Sequence, residues 1–167
     1  MDFHKLILRD RVKSTIFSFF LWLDITSPIT SQYSSVLTNS SEQFCHVGDC
    51  SDSAYYYQVF RLNISITGYY SLKWIGNMDA FRYLYNNSFV PPAPSQNVVA
   101  SNHDSGDNQQ FHLYIWLDSV TTYYLVVTTN NPIVTGQYTV IAMGLASVTF
   151  SPMNTSGKSP IYFRVLL

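Results

Sequence analysis

The chain has 167 residues, the size of one domain with tails. Aromatic residues make up 16% of it and charged residues only 11%, against roughly 25% charged residues in a typical soluble domain. The formal net charge is −1 and no cluster of Lys and Arg is present, so the sequence lacks the basic footprint that nucleic-acid binding requires.

Residues 1–31 have features of a secretory signal peptide. Scattered cations precede a short apolar run at 16–23, which ends at Asp24. The run is much shorter than the roughly 20 residues that cross a bilayer, so no transmembrane span is expected. Its length suits the apolar region of a signal peptide, with cleavage after Ser31. The alternative is a flexible or short helical N-terminal segment.

The next segment, residues 32–54, is interpreted as a lead-in that carries both cysteines of the chain. Four residues separate Cys45 from Cys50. In an oxidising compartment the two thiols can close a small loop that adds about 2 kcal/mol of stability. Free thiols and a metal site that includes His46 are the alternatives, although the spacing is not that of a zinc knuckle.

From Tyr55 onward the apolar residues recur with period two, which indicates strands with one buried face. The first strand carries Phe60, Leu62, Ile64 and Ile66 on its apolar face. A tight turn at Thr67 and Gly68 is expected to join it to a return strand as a hairpin. The further expected strands are 70–74, 79–85, 111–117, 123–129, 138–142 and a short edge at 147–150.

Two stretches between these strands are predicted to be loops. The proline-rich stretch 91–95 cannot donate a ladder of hydrogen bonds, and 102–110 is dense in Asp, Asn, Ser and Gly. From Tyr55 onward no segment keeps a helical stripe over three turns. The sequence therefore predicts an all-β, antiparallel sandwich over residues 55–150, with 151–167 as a tail or the start of a further strand.

Six stretches within residues 55–144 occur in a characteristic order and spacing, namely 56–60, 67–72, 78–89, 103–106, 122–127 and 135–140. Together they resemble the pre-peptidase C-terminal domain and the related repeats of large secreted invertebrate proteins. The resemblance implies a jelly-roll-like β-sandwich with an accessory role, either in binding or in spacing other domains. It also implies that the domain is not catalytic.

Tyr114 and Trp116 are the candidate ligand-binding residues. They alternate with Leu113 and Ile115, so the period-two pattern points them away from the core and towards solvent. Exposed aromatic side chains in a row can form a platform for sugar rings or for an apolar peptide surface. The alternative is a strand with both faces buried.

Calcium is the candidate metal ion, and no other cofactor is expected. The polar loop contains Asp104 and Asp107, which could supply oxygen ligands, and Asp79 could join them if the fold brings it close. The loop lacks the glutamate and the spacing of an EF-hand, so an ordinary Asx-rich loop is the alternative.

No catalytic constellation is visible in the sequence. There is no Gly-x-Ser-x-Gly elbow, and His103, Asp104 and Ser105 are sequence neighbours whose side chains diverge. The sequence therefore favours a protein that is not an enzyme, with a small hydrolase as the weakest alternative.

Four Asn-x-Ser/Thr motifs add to the expectation of secretion, because they are acceptors of N-linked glycans. These acceptors are Asn39, Asn63, Asn86 and Asn154. The function expected from the sequence is a non-catalytic extracellular binding or adhesion module, with a matrix polymer, a glycan or a neighbouring protein domain as its partner. The alternative is a structural spacer repeat of a larger secreted protein.

Overall fold

The computed structural model describes residues 27–48, 50, 54–102 and 112–154, and every regular element among them is a β-strand. Within these ranges no helix is long and apolar enough to cross a membrane. The ten strands are β1 (Ile29–Leu37), β2 (Glu42–Phe44), β3 (Tyr55–Ile64), β4 (Gly68–Gly76), β5 (Ala80–Asn86), β6 (Val98–Asn102), β7 (His112–Leu117), β8 (Tyr123–Thr129), β9 (Gly136–Gly144) and β10 (Val148–Met153).

The strands form two antiparallel sheets. The four-stranded sheet has the order β1-β9-β4-β7, and the six-stranded sheet has the order β10-β3-β8-β5-β6 with β2 also paired to β3. Apart from the β5–β6 pair, each successive strand from β3 to β10 crosses to the other sheet. Without β2 and β10, the remaining eight strands have the arrangement of a jelly roll. The predicted antiparallel β-sandwich is confirmed.

The sandwich begins earlier in the chain than the sequence pattern indicated. β1 pairs along its whole length with β9, from Ile29 opposite Gly144 to Leu37 opposite Gly136. The hydroxyl of Ser31 accepts a hydrogen bond from the backbone N–H of Val148 at 2.9 Å. Cleavage after Ser31 would therefore remove the start of a paired strand. Of the predicted signal peptide or N-terminal segment, 1–31, residues 1–26 lie outside the described residues, and 29–31 belong to β1.

The expected hairpin between the first two strands was wrong. β3 ends at Ile64, and Ile66 lies in a bend with 49% of its surface exposed. β3 and β4 belong to different sheets and face each other across the core. The alternation of apolar residues cannot distinguish a hairpin within one sheet from two strands that face each other in different sheets. In both cases every second side chain points into the same interior. The sequence also missed β1, β2 and β6.

The core lies between the two sheets and is rich in aromatic rings. Phe60 and Leu62 of β3 share it with Leu113 and Ile115 of β7, which are half-buried at its margin. Near its centre Trp74 stacks on Tyr138, with ring centroids 4.5 Å apart and an interplanar angle of 7°. The phenol of Tyr138 donates a hydrogen bond to the side chain of Gln58 in the opposite sheet. Burial raises the pKa of Tyr138, so the phenol stays protonated.

One charged side chain is also fully buried. Arg82 lies on the inner face of β5, between Ala80 and Leu84. Loss of hydration lowers the pKa of Arg82 to about 10, because burial disfavours the charged form. The guanidinium remains charged at neutral pH, so this part of the interior is not purely apolar.

A second apolar cluster covers the outer face of the six-stranded sheet. Its buried members are Phe44, Tyr57, Val59, Tyr83, Tyr85 and Val126. The loop that follows β2 lies over this face and is closed by a disulfide between Cys45 and Cys50. Within this loop the imidazole of His46 stacks on Tyr55, with centroids 3.8 Å apart. The disulfide that the sequence left open is therefore confirmed, and it holds a ring against the sheet.

Replacement of both cysteines by serine is expected to lower the free energy of unfolding by about 2 kcal/mol, since the cross-link removes conformational freedom from the unfolded chain. Urea unfolding of the oxidised chain and the double variant measures the difference. A reductant should lower the midpoint of the native chain to that of the variant and leave the variant unchanged. A native chain that is insensitive to the reductant would contradict this prediction.

The register of β4 against β9 depends on a close approach between a ring and a glycine. Tyr70 of β4 lies opposite Gly144 of β9 and is fully buried. A Cβ atom at position 144 would overlap the Tyr70 ring. The phenol donates a hydrogen bond to the carbonyl of Ile66 at 2.7 Å, so the ring is held at both ends. Glycine is therefore required at position 144 as long as Tyr70 points inward.

The substitution Gly144→Ala is expected to cost about 1–3 kcal/mol of stability, because overpacking displaces a ring that is fixed at both ends. Gly68→Ala is the matched control, because its Cβ would meet only the end of the exposed Leu145 side chain, which can rotate away. Thermal unfolding followed by circular dichroism compares the two. Equal melting temperatures for both variants would show that the Tyr70 contact does not constrain β4.

Candidate functional site

Tyr114 and Trp116 lie on the outer face of the four-stranded sheet, as the sequence pattern predicts. Their side chains are 67% and 52% exposed. The alternating residues Leu113 and Ile115 pack against the core and so fix the direction of the two rings. The strand therefore has one buried and one open face.

A third ring completes this surface. Tyr69 of β4 lies opposite Trp116 of β7 and is 52% exposed. Its ring stacks on Tyr114, with centroids 4.9 Å apart and an interplanar angle of 3°. It meets Trp116 edge to face at 5.0 Å and 79°. We call Tyr69, Tyr114 and Trp116 the aromatic cluster.

Sequence reasoning did not select Tyr69 as a site residue, although the signal was present. Tyr70, Leu72 and Trp74 point inward, and the same alternation sends Tyr69 outward. What the sequence could not give is the pairing of β4 with β7. These strands are separated by more than thirty residues in the chain, and only their register brings the three rings together.

The aromatic cluster borders a groove with a volume of about 470 Å³. Pro28, Met143 and Leu145 contribute to its far wall. Because Tyr69 stacks on Tyr114 and meets Trp116 edge to face, the three rings do not form the flat row that the sequence suggested, and together they line part of the groove. Such a surface offers ring faces and edges together with aliphatic groups, which suits a ligand with a partly apolar face.

A serine and a histidine lie beside the aromatic cluster. Ser71 Oγ is 2.7 Å from His112 Nε2, a distance that a nucleophile and a general base would share. Ser71, however, lies within a central strand that is paired on one side to β7 and on the other to β9. The backbone N–H groups there are used by the two ladders, so they cannot form an oxyanion hole. The pair suits ligand binding better than acyl transfer.

A second groove, with a volume of about 630 Å³, lies at the other end of the same face. Ser34, Asn77, Gln137 and Thr139 line it together with the exposed side chain of Ile75. The hydroxyl of Ser34 hydrogen-bonds that of Thr139 across the strands at 2.8 Å. This end of the face therefore offers hydroxyl and amide groups without formal charge.

The predicted calcium site is described only in part. The Asp79 carboxylate accepts a hydrogen bond from the side-chain amide of Asn130 at 3.1 Å, and its backbone carbonyl accepts the N–H of Asn130. Asp104 and Asp107 lie outside the described residues. In the described part of the chain, no group of three or more His, Cys, Asp or Glu side chains could hold a metal ion. The involvement of calcium stays a prediction.

The remaining predicted sites are the weak catalytic candidates and the glycan acceptors. His103, Asp104 and Ser105 fall outside the described residues. Of the four glycan acceptors, Asn63 is exposed on the outer face of β3, Asn39 is exposed in the turn after β1, Asn86 is half-buried at the end of β5, and Asn154 is exposed after β10.

No protein-family model matches the chain, and no curated protein matches it in sequence. The resemblance to the pre-peptidase C-terminal domain therefore depends on the motifs given above.

Proposed function

We propose that the chain is a non-catalytic, secreted binding module whose ligand is a glycan or matrix polymer held on the aromatic cluster. The observation that carries this proposal is the exposure of three contacting rings from two strands on a rigid sheet. Apolar patches of this kind on a soluble domain mark interaction sites. Aromatic rings also keep few rotatable bonds, so ligand binding orders them at a small entropic cost.

The surroundings of the aromatic cluster favour a glycan over an apolar peptide. A sugar ring combines an apolar face of C–H groups with hydroxyls at its edge. The aromatic cluster and its groove can contact the apolar face of the sugar. Ser71, His112 and the hydroxyl-lined second groove can hydrogen-bond its hydroxyls. Specificity in ligand sites usually comes from such a small number of polar groups beside apolar walls.

Secretion is supported by two features. The chain contains the disulfide Cys45–Cys50, and disulfides form and persist in oxidising compartments. The exposed acceptor Asn63 lies on the outer face of the six-stranded sheet, opposite to the face that carries the aromatic cluster. A glycan at Asn63 would therefore leave the proposed binding face accessible.

The fold alone does not decide the function, because one architecture serves many activities. The resemblance to the pre-peptidase C-terminal domain implies an accessory role in binding or spacing, which agrees with this proposal. The surface rings are what distinguish a binder from a spacer, since a spacer has no need for exposed aromatic side chains.

Binding of the purified chain to arrays of glycans and matrix polymers tests the proposal. Trp116→Ala and Tyr69→Ala are each expected to weaken binding at least about 30-fold, because central aromatic side chains dominate binding energy. The control is Val120→Ala, in the exposed turn after β7, which should bind as the native chain does. Absence of binding by the native chain would favour the spacer, and binding that survives both ring substitutions would place the ligand elsewhere.

A further inference from the structure

Among the described residues, the outer face of the four-stranded sheet carries one formally charged side chain. Its outward positions on β1, β9 and β7 are neutral, apart from the titratable His112, and on β4 the charged residue is Lys73. Among the other cations of the described residues, Arg82 is buried and Arg61 belongs to the outer face of the six-stranded sheet. Lys73 is thus the cation of the proposed binding face.

The position of Lys73 relative to the aromatic cluster follows from the strand register. Lys73 lies opposite His112 on β7 and opposite Ile141 on β9, while Ser71 lies opposite Tyr114. Lys73 and Tyr114 are therefore diagonal neighbours, with Cα atoms roughly 7–8 Å apart. The flexible four-carbon stem of lysine carries the ammonium group further along the surface.

Lys73 forms no ion pair with any carboxylate of the described residues. Of the described acids, Asp79 accepts a hydrogen bond from Asn130, and Asp118 follows β7 and accepts hydrogen bonds from Thr67 and from the N–H of Val120. Thr67 directly precedes β4, six residues from Lys73, so Asp118 lies at the far end of the strand, a separation of roughly 20 Å. This exceeds the Debye length of about 8 Å at physiological salt, so among the described residues no acid compensates the positive charge of Lys73 on its own face.

From this arrangement we infer that the ligand is an acidic glycan, with a sugar ring against the aromatic cluster and its carboxylate or sulfate group on Lys73. This inference rests on the proposed function, and charge complementarity is what selects the acidic sugar from among glycans. Ser71 lies between Tyr69 and Lys73 on β4, and its hydrogen-bond partner His112 is exposed opposite Lys73, so the pair can hydrogen-bond hydroxyls of the same sugar.

The test uses ligands that differ only in charge. The native chain is titrated with polygalacturonate and with its methyl ester, and with dextran sulfate and neutral dextran, so that carboxylate and sulfate are examined separately. We expect tighter binding to one or both acidic polymers, with affinity that falls as salt is raised. Lys73→Met, which keeps the packing of the stem, should weaken binding to the acidic polymer about twofold to fivefold and leave binding to the neutral form unchanged. Lys73→Arg should bind the acidic polymer as the native chain does.

Equal binding to acidic and neutral polymers, with both lost in Trp116→Ala, would overturn the acidic ligand and leave the proposed function standing. Preference for the acidic polymer that persists in Lys73→Met would overturn the role of Lys73. Binding to none of these polymers or of the arrayed glycans would overturn both proposals.

Discussion

The ring of Tyr70 lies over Gly144, at the point where β4 and β9 pair, and no side chain at position 144 can share that space. This contact fixes which face of β4 points into the core. Shifting the strand by one residue would exchange its two faces. Tyr70, Leu72 and Trp74 would then lie in solvent, and Tyr69 would be buried. The steric contact between one ring and one glycine thus contributes to the outer surface as well as to the core.

Side chains also alternate between the two faces in β7, the edge strand that pairs with β4. Leu113 and Ile115 face the interior from β7, so Tyr114 and Trp116 point outward. The pairing of β4 with β7 then places Tyr69 against both rings. Three residues from strands distant in sequence become one surface without any loop, which gives the proposed binding site the rigidity of the sheet. The disulfide loop and its aromatic contacts stabilise the other sheet and leave this face open.

The sequence predicted much of the fold, because the inward residues of β4 and β7 alternate clearly and because β8 and β9 are short apolar runs bounded by Asn, Pro and Gly. It failed where the alternation is weak or ambiguous. β1, with the sequence ITSQYSSVL, carries too few apolar residues to stand out, and it is held by pairing with β9. The expected β3–β4 hairpin failed because facing strands in two sheets produce the same pattern as neighbours in one.

The sequence predicts that the side chains of Tyr114 and Trp116 point outward, but it does not predict which other residues join them in the site. Tyr114 and Trp116 follow from the period of a single strand, whereas Tyr69 and Lys73 join them only through register across strands. Nothing local in the sequence encodes that register. It results from the fit of whole inner faces, including the contact of Tyr70 with Gly144.

Nuclear Overhauser effects from the Tyr69 ring, measured in the selectively labelled chain in solution, test the β4 register most directly. Our account predicts cross-peaks from Tyr69 to the rings of both Tyr114 and Trp116, and none to Phe60. Cross-peaks from Tyr69 to Phe60, with Tyr70 in contact with Trp116, would contradict the register and with it the aromatic surface.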